Sequence, residues 1–192
     1  MKSGLNVRNV FLLLAGLFLV SSWASATATE GKQAPGKSRD NSKYQAWLQK
    51  EVRHELLLLP YFTVFDNLTY QIDEDKVILS GQVVNATLKP DAESAVRKIE
   101  GVSEVVNNIE VLPPSLNDDR LRRAIYRAIY RNTVLQRYAL GAVPPIHIIV
   151  KGGHVALEGV VDNEMDRNVS NIQANSVPGV FSVTNNLRIA KK

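Results

Sequence analysis

An α+β fold built from two tandem copies of one αββαβ module is what this sequence predicts. Three observations predict it: an internal repeat at constant offset, alternating apolar residues around short polar turns, and apolar residues at helical spacing on either side of those hairpins. Residues 77–85 (VILSGQVVN) match residues 155–163 (VALEGVVDN), 78 positions further on. The same offset carries Gly101 and Val102 onto Gly179 and Val180, Val105 onto Val183, and Asn107 and Asn108 onto Asn185 and Asn186, without a gap.

The chain begins with a segment that does not belong to either copy. Lys2 and Arg8 precede an apolar run at residues 10–20, and Ala24, Ser25 and Ala26 follow with the small side chains a signal peptidase reads. Residues 1–26 are therefore expected to be a signal peptide cleaved near Ala26. The alternative, a retained membrane anchor, must stretch the run through Trp23, because eleven strongly apolar residues fall short of the ~20 that span a bilayer. Residues 27–42 carry no apolar period and are rich in Gly, Pro, Ser and Lys, so they read as a flexible tether. The first module is expected at 43–113 and the second at 114–192.

In the first copy Tyr44, Leu48, Val52 and Leu56 recur every four residues, on one face of a helix that Pro60 ends. Leu68, Tyr70 and Ile72 alternate, Asp73, Glu74 and Asp75 supply a polar turn, and Val77, Leu79, Gly81 and Val83 alternate again: a β-hairpin. Pro90 lies in the first turn of a second helix, with Ala92, Ala95, Val96 and Ile99 facing inward and Gly101 ending it. Val102, Val105, Ile109 and Val111 make a last strand whose alternation shifts, as at a bulge. The second copy repeats the scheme, with Leu121, Ile125, Ala128 and Ile129 on its first helix and Ile146, Ile148 and Val150 before a Gly152-Gly153 turn. Its second helix, residues 164–176, holds many Asn and Ser, poor helix formers, but Met165, Val169 and Ile172 keep the spacing of an inward face. Each module is small enough that its own core is marginal, so the two are expected to pack on each other.

A helix, then V-x-L-x-G-x-V, then a helix, then G-V-x-x-V-x-N resembles the BON domain, named for bacterial osmotic-stress and nodulation proteins. Val77, Leu79, Gly81, Val83, Gly101, Val102, Val105 and Asn107 carry the pattern in the first copy; Val155, Leu157, Gly159, Val161, Gly179, Val180, Val183 and Asn185 carry it in the second. The resemblance implies a three-stranded mixed sheet with two helices on one face in each module, and an exported, envelope-located protein that binds phospholipid surfaces or envelope proteins under osmotic or envelope stress. Some such proteins are lipoproteins; this chain has no cysteine to accept a lipid. The pattern does not account for the apolar stretches at 56–65 and 138–146. Its glycines read as structural: Gly81 and Gly159 would permit a bulge or a close helix approach, and Gly101 and Gly179 a turn from helix to strand.

Catalytic chemistry has little to build on. The absence of cysteine excludes disulfides, thiol nucleophiles and Cys-based metal sites. His54, His147 and His154 show no metal-ligand spacing. The run Asp73-Glu74-Asp75 lacks the spaced oxygens of a calcium loop, and no helix follows Gly152-Gly153 to cradle a phosphate. No enzyme activity, cofactor or metal is expected.

Charge is more informative. Residues 41–113 hold 7 Lys and Arg against 11 Asp and Glu, a net of −4, while residues 114–192 hold 11 against 6, a net of +5. At roughly 100° per residue, the helix at 118–131 sets Leu121, Ala124, Ile125, Ala128 and Ile129 on one side. On the other it sets Arg120, Arg122, Arg123, Tyr126, Arg127, Tyr130 and Arg131. Guanidinium and phenol groups suit the headgroup layer of an anionic bilayer, and Arg137, Tyr138 and Leu140 would extend the surface beyond the helix. The expectation is reversible attachment to anionic phospholipid, without nucleic acid. Two other placements stay open: this face packed on the acidic first module, or simply solvated. A different function is open too, a periplasmic chaperone or interaction module that holds envelope proteins through residues 57–65.

Overall fold

Apolar residues four apart and apolar residues two apart alternate along the chain, and the structure, a computed structural model, turns each run into a helix or a strand. It describes residues 41–191. The predicted signal peptide and most of the predicted tether lie outside them. No helix among the described residues is long and apolar enough to cross a membrane.

Helix α1 (Asn41–Leu57) begins inside the stretch read as tether, so Asn41 and Ser42 belong to the module. Tyr44, Leu48, Val52 and Leu56 are buried, as the four-residue spacing predicts. Strands β1 (Asn67–Asp73) and β2 (Lys76–Val83) form the expected antiparallel hairpin, with Asp73 opposite Lys76 and Tyr70 opposite Leu79. Helix α2 (Leu88–Arg97) buries Leu88, Ala92 and Val96. The last strand is broken into β3 (Glu104–Asn107) and β4 (Glu110–Val111), both parallel to β2.

The second module repeats this as α3 (Leu116–Tyr130), β5 (Ile146–Lys151), β6 (His154–Val161), α4 (Glu164–Asn175), β7 (Ser182–Asn185) and β8 (Arg188–Ile189). A short 3-10 helix, Gln136–Leu140, follows α3. Each module is thus a mixed sheet with two helices packed on it, the third strand in two pieces.

An asparagine causes each break. Asn107 donates from Nδ2 to the Lys89 carbonyl on α2 (2.8 Å), while its Oδ1 accepts from the Ile109 amide (3.2 Å). Asn185 makes the same pair of bonds, to the Arg167 carbonyl and from the Leu187 amide. One side chain therefore ties strand to helix and turns the strand, so that Ile109 and Leu187 drop into the cores.

The glycines of the hairpins answer to the neighbouring strand rather than to a helix. A Cβ on Gly81 would lie 1.9 Å from the Asn67 carbonyl oxygen, and one on Gly159 would lie 1.9 Å from that of Pro145. Both have φ near +115°, a region closed to most side chains (+115° and +118°).

Helix α4 forms where predicted but buries a different face. Met165 and Ile172, expected inside, are exposed, and Val169 is half-buried; Asp166, Ser170 and Ala174 occupy the core side. Burial of Asp166 is stabilised by its partners: it accepts from Tyr138 and forms an ion pair with Arg137. Asn163 caps the helix by accepting from the Asp166 amide at 2.9 Å, which offsets the poor propensity of the Asn and Ser residues.

The stretch at 56–65 has a role the BON pattern does not describe. Val64 is buried in the core of the second module, and its carbonyl accepts a hydrogen bond from the Ile148 amide on the outer edge of β5 (2.8 Å). Phe65 meets Tyr126 edge-on at 6.2 Å, Phe62 lies over the His147 ring at 5.7 Å, and Lys151 pairs with Glu110 at 2.5 Å. Buried Asp66 shapes this arm by accepting from Thr63 and, across the module, from the Val84 amide.

Candidate functional site

Helix α3 carries the candidate surface, and its ends are set by local chemistry. Ser115 caps the start by accepting from the Asp118 amide, and Asp118 and Asp119 lie in the first turn, where the helix dipole favours negative charge. Buried Asp118 also receives the Gly152 and Gly153 amides at 2.9 Å each, which locks α3 to the β5–β6 turn.

The structure divides the predicted site residues into two groups. Arg120, Arg123, Arg127 and Arg131 are exposed and recur at i, i+3, i+7 and i+11, a single stripe along α3. None has an ion-pair partner among the described residues. Three of them, with Asn117, Ala124 and Pro178, line a cleft of about 310 Å3. On the neighbouring helix, Met165 and Ile172 stand exposed.

The remaining predicted residues of α3 are held by the protein. Arg122 is buried: Nη2 donates to the Val150 carbonyl (2.6 Å) and Nη1 to Asp119 (2.5 Å). Tyr130 is buried as well, its hydroxyl donating to the Ile146 carbonyl (2.7 Å) and accepting the Ile146 amide (3.2 Å). Burial raises the pKa of that phenol well above its ordinary value. Tyr126 is half-buried between Tyr130 and Phe65. Arg122 and Tyr130 are drawn inward by partners in their own module, Asp119, Val150 and Ile146, and only Tyr126 is covered by the arm of the first module.

Arg137 and Tyr138 are held by carboxylates. Tyr138 donates to Asp166 (2.7 Å) and accepts the Asp162 amide (2.8 Å), and burial together with the Asp166 bond pushes its pKa up to about 12. Arg137 pairs with both Asp162 and Asp166, which compensate its charge. Leu140, beyond them, is 88% exposed.

The repeat itself carried the missed signal. At the offset of 78, Arg122, Tyr126 and Tyr130 stand where the first copy has Tyr44, Leu48 and Val52, the buried face of α1. By the same offset the arginine stripe replaces Ser42, Gln45, Gln49 and Arg53, so its charge density belongs to the second module alone.

Among the described residues no cluster of His, Asp or Glu is arranged to hold a metal ion. His154 bonds Ser182 at 2.8 Å and leans on Phe181, apart from the other two histidines.

The BON domain profile matches residues 44–113 and again 117–191. No curated protein matches the chain. Among solved structures, the chain is similar to the C-terminal domain of CdsD, a structural protein of the type III secretion system of Chlamydia trachomatis. The identity is 12%, the match covers 75% of this chain and 98% of that one, and the TM-score is 0.27. A second structure of CdsD gives 13% identity, 75% and 93% coverage and a TM-score of 0.27.

Proposed function

This chain belongs to the BON domain family, with two domains in tandem, and from that premise we propose that it attaches reversibly to anionic phospholipid through the arginine stripe of its second module. The family is non-catalytic and is associated with phospholipid binding and envelope stress. We take residues 1–26 as an export signal, which would deliver the modules to the periplasm, where envelope or osmotic stress acts.

One observation carries the reading: Arg120, Arg123, Arg127 and Arg131 form a row of exposed positive charge along one helix with no ion-pair partner among the described residues. Most of the chain's other described arginines are paired with carboxylates. Guanidinium forks match phosphate oxygens, and each basic residue at an anionic surface contributes on the order of 1 kcal/mol, so four suffice for reversible attachment without a lipid anchor. Met165 and Ile172 are also exposed on α4, the helix that packs against α3.

Co-sedimentation with vesicles tests this. The protein should bind phosphatidylglycerol vesicles, ignore phosphatidylcholine vesicles, and release as salt rises. Arg123→Glu with Arg127→Glu should weaken binding by about 30-fold or more while leaving the circular dichroism spectrum unchanged. Binding that ignores lipid charge, or survives the double reversal, overturns the proposal.

Capture of envelope proteins is the second reading, supported by Leu57, Leu58 and Tyr61, which stay exposed at the base of the arm. Its check is whether the chain delays aggregation of an unfolded outer-membrane protein and loses that effect on Leu58→Ser with Tyr61→Ser.

A further inference from the structure

The contact between the two modules has a donor half and an acceptor half, and each chain uses each half once. Residues 62–65 and Glu110 of the first module are the donor; the β5 edge, His147 and Lys151 of the second are the acceptor. Because the modules are copies, a second donor and a second acceptor remain.

The spare acceptor is the β1 edge. Leu79 turns its carbonyl to Asn108 on the far side (2.8 Å), so Tyr70, opposite Leu79 in the hairpin, turns its amide to the open edge. The second module has the same arrangement: Leu157 bonds Asn186, and Ile148 opposite it reaches outward, there to Val64. No partner for the Tyr70 amide exists among the described residues. The spare donor is residues 140–143, the counterparts of 62–65 at the offset of 78. Leu140, Gly141 and Ala142 are exposed there.

Charge fits the same pairing. Within the chain Glu110 of the donor meets Lys151 of the acceptor. Their counterparts are Arg188 and Asp73, opposite in sign again but with the signs exchanged between donor and acceptor. Both are exposed, and neither has an ion-pair partner among the described residues. The net charges of +5 on the second module and −4 on the first favour the same approach.

We propose that the chain associates head to tail with a second copy of itself, residues 140–143 of one copy lying along the β1 edge of the next and Arg188 pairing with Asp73. The contact is heterologous, so it propagates into rings or open arrays rather than closing as a symmetric dimer. It is weaker than the internal joint and more dependent on charge. Gln71 stands where the second module buries Ile149, and Leu140 and Ala142 replace Phe62 and Val64. The proposal does not rest on lipid binding.

Cross-linking in cells producing the full chain tests it, since the chain has no cysteine of its own. Phe62 and His147, in contact at the internal joint, have Leu140 and Thr69 as counterparts. A chain carrying Thr69→Cys and Leu140→Cys, treated with a short bifunctional thiol reagent, should give a ladder of dimers and larger species. Adding Asp73→Arg should reduce the ladder roughly tenfold or more, and adding Arg188→Asp to that should restore it. Monomer alone, or a ladder that ignores Asp73→Arg or is not recovered by the exchange, overturns the proposal.

Discussion

Gly81 shows how a single position can be legible in sequence while its reason is not. Its recurrence as Gly159 marks it as required, and the strand context suggested a bulge or an approaching helix. The structure supplies a different cause, the carbonyl of Asn67 occupying the place of a Cβ at 1.9 Å. Gly81→Ala should therefore lower the unfolding free energy by about 3 kcal/mol or more, because backbone strain and a backbone collision add. Gly152 separates the two effects. It also has positive φ, but nothing lies within 4 Å of its would-be Cβ, so Gly152→Ala should cost only about 1 kcal/mol. Urea denaturation of the two variants checks the difference. Asn107 and Asn185 were legible as a repeated pair, but their hydrogen bonds to the helix carbonyls were not, because a partner 18 residues away leaves no local pattern.

Helix α3 is where periodicity succeeded and failed at once. Leu121, Ile125 and Ile129 are buried as their spacing predicts, and Arg120, Arg123, Arg127 and Arg131 are exposed. Arg122 and Tyr130 are buried against expectation, since a polar side chain is read as outward unless its partner is known, and Val150 and Ile146 provide partners only after the sheet forms. Two neighbouring arginines then behave differently. Arg122→Ala should lower stability by about 2 kcal/mol, from a lost charged hydrogen bond and lost packing. Arg123→Ala should fall within about 0.5 kcal/mol of the parent chain. Thermal unfolding of the pair measures it. Helix α4 makes the same point in reverse: its exposed Met165 and Ile172 and its buried Asp166 break the hydrophobic rule because Arg137 and Tyr138 reach in to satisfy a carboxylate.

At the scale of the molecule, the arm at residues 62–65 makes two small modules lean on one another, and His147 sits in that joint. Its half-buried ring packs against Phe62 with no hydrogen-bond partner for Nδ1 among the described residues, and burial lowers its pKa, opposed only in part by the Asp66 backbone and the Asp66 and Glu158 charges. A depressed histidine pKa favours the neutral ring in the folded state. Its contribution to stability is therefore complete above about pH 6.5, the unfolded value, and is lost as pH falls below it. The melting temperature should drop between about pH 7 and 5, and His147→Gln should flatten that slope. The duplication, the αββαβ order, the hairpins and the lack of any thiol were determined by sequence alone, since each follows from residue identity or from spacing within one module. Which side of α3 is dry, where the arm at 62–65 goes and which arginines stay unpaired were decided only by tertiary structure. Periodicity records how a segment packs on its nearest neighbours, whereas these features depend on surfaces brought together from distant parts of the chain.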